Sequence, residues 1–190
     1  MKKILFSRES ECIQPLRSLI EKQNHRTLVL WALDCTPRFL DIFEAAYPND
    51  SRPRDLIPIA EAWAAGDIKM PEAKKAIHAA HHAAADAEGH PAAQAAARAI
   101  GHAAATIHVE THALGLIFYG LTALIYAAGA NPKDCDEMTA SELKWFYDRL
   151  LFWEINSDKQ NRKWAAFLMK DAASNKEALL RKKTEEKAKS

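Results

Sequence analysis

Residues 73–113 hold 18 alanines in 41 positions, and no other feature of the chain restricts its fold as strongly. Alanine has the best helix propensity and almost no bulk, so a stretch of this kind forms helices that can approach one another closely. Strand signals are nearly missing. Valine occurs only at Val29 and Val109, and no run alternates β-branched with polar residues. The chain therefore reads as an all-α, single-domain multi-helix bundle with a central Ala/His-rich helical hairpin, expected to be the tightest helix pair and to turn at Gly89-His90-Pro91.

Proline, glycine and capping residues divide the rest. A short helix follows Pro15. A segment from about Arg26 to Tyr47 carries Leu30, Leu33, Phe39, Leu40 and Phe43 at helical spacing. Pro37 either kinks it or sits in the first turn of a new helix. The next helix begins near Pro53, contains Pro58, and stops at Gly66, a natural C′ residue. Pro71 opens a helix to about Glu88. A long stretch from about Ala92 to Ala128 follows, with Gly101, Gly115 and Gly120 as candidate bends and Asn131-Pro132 as its end. Thr139-Ala140-Ser141-Glu142 has the T-x-x-E form of a capping box before Leu143, Trp145 and Phe146. A last helix would carry Trp164, Phe167 and Leu168. Residues 1–175 read as one all-helical domain, with 131–175 supplying its C-terminal helices. In 176–190, nine of fifteen residues are Lys, Arg or Glu, which suits a solvated helix end or a disordered tail.

Charge and composition exclude some functions. Twenty-six basic against 25 acidic residues leave a net charge of +1, which argues against an electrostatic nucleic-acid binder. The uncharged run Ala113–Ala130 is at the lower limit for a membrane span. It has no basic flank on its N-terminal side and is read as a helix buried among others, with no membrane. The opening Ile4-Leu5-Phe6 is too short for a signal-peptide core, so a cytoplasmic protein is expected. Cys12, Cys35 and Cys135 show no CxxC spacing and read as small buried hydrophobes.

Two constellations could carry chemistry. Seven of the eight histidines lie between His78 and His112. On one continuous helix His108 and His112 would share a face with Gly101, Ala105, Gly115 and Tyr119. Their H-x-x-x-H spacing makes them weak metal candidates, but the intervening Glu110 stands third rather than second, unlike H-E-x-x-H. Folding the hairpin about residues 89–90 brings His78 level with His102 and leaves the His108 pair about 15 Å away. His78 beside His102 is therefore the expected cross-helix pair. The second constellation is Asp34, set between Leu33 and Cys35, with Arg52 or Arg54 as its bidentate partner. Among the five tryptophans, Trp153 and Trp164 would be interface anchors if exposed. No nucleophile elbow, phosphate loop or dinucleotide fingerprint occurs, so a binding protein is favoured over an enzyme. The candidate binding residues are Asp34, Arg52, Arg54, His102, His108 and His112. No catalytic residue is assigned and no cofactor is expected.

An ordered series of residues adds a family likeness: Trp31-Ala32-Leu33-Asp34-Cys35, Phe43-Glu44, Tyr47-Pro48, Asp50, Arg52-Pro53-Arg54, Ala62-Trp63, Gly66, Gly101-His102-Ala103, Thr106, His108-Val109 and His112-Ala113. Over roughly residues 27–130 this resembles the Imm-5-like putative immunity proteins of bacteria. The resemblance implies an all-helical cytoplasmic protein that neutralises a cognate toxin by direct binding. The alternative from the histidines is a His-lined helical protein binding a small molecule or metal, with enzymatic activity open. The toxin's identity and the oligomeric state are open as well.

Overall fold

The computed structural model describes residues 4–130, 136–170 and 175–188. Its elements are α1 (Gln14–Ile20), α2 (His25–Asp34), α3 (Thr36–Ala46), α4 (Arg52–Ala65), α5 (Met70–Asp86), α6 (Pro91–Ala105), α7 (His112–Ala127), α8 (Asp136–Asn156) and α9 (Lys176–Ala188). No strand occurs among the described residues, so the all-α expectation holds. None of their helices is long and apolar enough to cross a membrane.

Helix α6 is the hub. It packs on α7, α3, α5, α4 and α2, and its alanines are buried on several sides. Its widest contact is with α7 rather than α5, so the expected order of tightness is reversed. The cause is in α7: Gly115 carries no side chain where His102 of α6 approaches, and Leu114, Leu116, Ile117 and Leu121 are wholly buried. The aromatic side of the core is built by Trp31, Phe39, Phe43 and Phe146. Trp31 Nε1–H donates to the Phe146 carbonyl at 3.1 Å, which pins α2 to α8 without leaving an indole donor unpaired.

Local signals acted mostly as their chemistry requires. Asn24 Oδ1 caps α2 by accepting from the Thr27 amide at 2.9 Å. Pro37 lies in the first turn of a separate α3, because α2 ends at Asp34. Pro58 stays inside α4, on its exposed side, where solvent can replace the lost backbone hydrogen bond. Gly66 ends α4 with φ of +79°, the left-handed conformation that glycine adopts without penalty.

Several expectations are corrected. The long stretch 92–128 breaks at Thr106–Thr111 and not at a glycine. Thr106, Ile107, Val109 and Thr111 are β-branched, and their stiff side chains disfavour continued helix. The helix α8 starts at Asp136, so Thr139 lies within it rather than capping it. The segment bearing Trp164, Phe167 and Leu168 is not helical. It runs as a strap, held where the Ala165 amide donates to the Ala64 carbonyl at 2.7 Å. The charged tail takes the helical one of its two alternatives, through Ala188, but Glu177 within it is fully buried rather than solvated. Of the cysteines, Cys35 is buried but Cys12 is exposed. Cys135 and the expected stop at Asn131-Pro132 lie outside the described residues.

Candidate binding site

The six residues singled out in the sequence do not converge: only His102 and His112 meet, while His108, Asp34 and the Arg52–Arg54 pair lie elsewhere. On the face shared by α5, α6 and α7, three imidazoles and a phenol form a file. His102 of α6 is central. Its ring centroid is 5.1 Å from that of Tyr119, nearly parallel to it, 5.2 Å from His112 and 5.8 Å from His81. The file exists because glycines leave space for it. A Cβ on Gly115 would lie 2.3 Å from His102 Nδ1, and one on Gly101 would lie 2.6 Å from His81 Cε1.

His81, not His78, is the cross-helix partner of His102. Helical side chains lean toward the N-terminus of their own helix, so two antiparallel helices make contacts offset along each axis. His108 is also displaced from its expected place. It falls in the break between α6 and α7, is exposed, and stacks 6.4 Å from Trp63. Only His112 of the H-x-x-x-H pair joins the file.

The Nδ1 atoms of His102 and His112 are 3.1 Å apart, so one imidazole donates and the other accepts. Burial holds all three rings neutral. Desolvation, followed by the neighbouring His112, His81, Arg98 and Arg8, pushes His102 down to about 3. Desolvation, with Arg98, His78, His112 and His82, takes His81 down to about 4. His112 is lowered by burial and by His108 and Arg8. Among the described residues no group of three or more His, Cys, Asp or Glu converges to hold a metal ion.

The acidic constellation is rearranged. Asp34 pairs with Arg149 of α8, through Arg149 Nε to Oδ2 and Nη2 to Oδ1 at 2.9 Å, and accepts from Trp153 Nε1–H at 2.9 Å. Arg52 instead bridges Asp50 and Asp86, at 2.6 and 2.8 Å, and Arg54 pairs with Glu44. Neither arginine pairs with Asp34; each is engaged by another carboxylate.

The guanidinium of Arg149 also lies 4.5 Å from the Phe152 ring centroid. One turn back, Arg38 covers Trp145 at 4.3 Å and pairs with Glu142 at 2.8 Å. Arg149 was not among the sequence candidates. A signal existed in the i, i+4, i+8 spacing of Trp145, Arg149 and Trp153, which sets all three on one helix face. Phe152 is 42 % and Ile155 65 % exposed beside this ladder. Trp153 and Trp164 are themselves half-buried.

A family model described as Imm-5 like putative immunity protein matches residues 18–151. The chain belongs to this family. No curated protein and no solved structure matched the chain. The match in this Imm-5-like protein takes in Asp34, Arg149 and the whole histidine file. The Phe152–Ile155 end of α8, the strap and α9 lie beyond it.

Proposed function

We propose that this Imm-5-like protein neutralises a cognate bacterial toxin by binding it directly, inside the cell, through the α8 face built on Asp34, Arg149, Phe152 and Trp153. Family membership over residues 18–151 carries the reading. The side-chain chemistry of the face supports its location. Arginine and tryptophan dominate the energetics of protein interfaces when they are held in place before binding. Here Asp34 holds both, while Phe152 and Ile155 offer apolar area at the edge.

The test is co-expression with a toxin encoded beside the gene. Expected are restored growth and recovery of a stoichiometric complex. The pair Arg149→Ala and Phe152→Ala should weaken the complex by at least about tenfold, while the protein stays folded. Killing that proceeds equally with the protein present refutes the function. An unchanged complex with the double variant refutes the surface.

A further inference from the structure

A buried charge lies outside both constellations. Glu110, in the break between α6 and α7, is 3 % exposed, and its Oε2 has no hydrogen-bond partner among the described residues. Its Oε1 lies 3.8 Å from Nδ1 of His25, beyond hydrogen-bond distance. The proton on His25 is fixed from the other side. Nε2 is 2.7 Å from the Thr106 carbonyl, and a carbonyl only accepts, so Nε2 carries the hydrogen and donates it.

Burial lowers the His25 pKa against the opposing pull of the Thr106 carbonyl and Glu110, with Lys176 and His108 lowering it further. Burial thus favours the neutral ring, in which Nδ1 presents a lone pair toward Glu110. His25 Nδ1 and the Glu110 carboxylate face each other at 3.8 Å, too far apart to share one hydrogen bond.

They border a cavity of about 60 Å³, shared with Gln23, Asn24, Leu168 and Asn175. One water needs about 10–15 Å³ on this measure, so the space admits a group of several heavy atoms. A neutral donor would satisfy the lone pairs but leave the buried charge uncompensated, which is strongly unfavourable. A cation with several N–H bonds answers both needs. Neither of the cationic residues lining the cavity forms a described ion pair with Glu110. Arg26 is engaged by the Leu168 carbonyl at 3.4 Å and by Asp158 at 3.6 Å, and Lys170 is exposed.

We propose that the Glu110–His25 cavity binds a small organic cation, an ammonium or guanidinium head, whose N–H groups donate to Glu110 Oε2 and His25 Nδ1. The head belongs either to a free amine or to a lysine or arginine side chain of a bound protein. Only the second source rests on the immunity reading.

The test titrates the full-length protein with methylguanidinium and methylammonium chloride at low millimolar concentration, against sodium chloride of equal ionic strength. A saturable rise in melting temperature is expected, roughly 3–6 °C at about ten times Kd, and it should vanish in Glu110→Gln. The same titration should shift the ¹⁵N resonance of His25 Nδ1 in the unaltered protein, so the result stands even if the variant misfolds. Competition with the toxin would assign the cation to a partner's side chain. Binding without competition would assign it to a free amine. No saturable change in either readout, with water or the Lys170 ammonium filling the space, overturns the site and leaves toxin neutralisation untouched.

Discussion

His102 and His112 face each other across the α6–α7 break with their Nδ1 atoms 3.1 Å apart, so this pair is stable only while at most one of the two Nδ1 positions carries a proton. A second proton would turn the hydrogen bond into a contact between two cations. Together with His81, the pair makes folding sensitive to acid well above the range in which carboxylates titrate.

The sign follows from the direction of the shifts. The folded protein holds His102 at about 3 and His81 at about 4, against an ordinary value of 6.5. The unfolded chain therefore binds more protons as pH falls. The stabilisation is complete above pH 6.5 and declines as pH drops toward 4 and then 3. Melting temperature measured from pH 7.5 to 4 should fall continuously below 6.5. His102→Gln should make that decline shallower throughout, and a flat profile for the unaltered protein would contradict the buried-neutral assignment.

Gly115→Ala should destabilise, although alanine is the better helix former by about 1 kcal/mol. Its Cβ would lie 2.3 Å from His102 Nδ1, forcing the imidazole off both His112 and Tyr119. A net loss of about 1–3 kcal/mol is expected by urea denaturation. In a His102→Ser background the same change should become neutral or stabilising, since the two sites are coupled through direct contact. Equal effects in both backgrounds would show that the ring is not the obstacle.

Asp34→Ala should remove the carboxylate that orders Arg149 and Trp153. The group is a quarter exposed, so the cost should be about 1–2 kcal/mol, below that of a buried ion pair. Trp153 should become more mobile and its fluorescence should shift to the red. If Asp34→Ala leaves the Trp153 emission unchanged, the side chain is held by packing alone.

Glu177 is fully buried and takes Arg8 at 3.0 Å and Arg17 at 3.1 Å. It ties α9 to the N-terminal segment, with Arg181 to Glu21 at 2.7 Å beside it. Glu177→Gln should cost about 2–3 kcal/mol, less than a wholly enclosed pair because Arg8 is 39 % exposed. Trypsin should then cut α9 markedly faster than the unaltered protein. An unchanged rate would mean that α9 is retained by its other contacts.

The helical class and many helix starts and stops were legible because they depend on neighbours in the chain. Pro37 and Pro71 opened helices, Gly66 closed one, and alanine density marked the close-packed centre. These are properties of a few consecutive residues and their backbone preferences. The Thr139 capping box and the supposed helix at Trp164 show where local signals yielded. In the strap, an amide of Ala165 found a carbonyl of Ala64 far away in sequence, and that bond replaced helix formation.

The site was legible only as a set of residue types. His102, His112 and Asp34 were recognised, but not their partners. Asp34 meets Arg149 across 115 positions, and His25 meets Glu110 only because α6 ends before it. Composition and periodicity along the chain determined that this protein would be helical and would bury an alanine-lined interior. Which imidazole touches which, and where each carboxylate finds its counter-charge, was decided by helix register and side-chain lean, because those contacts form between segments whose separation in sequence carries no record of their meeting.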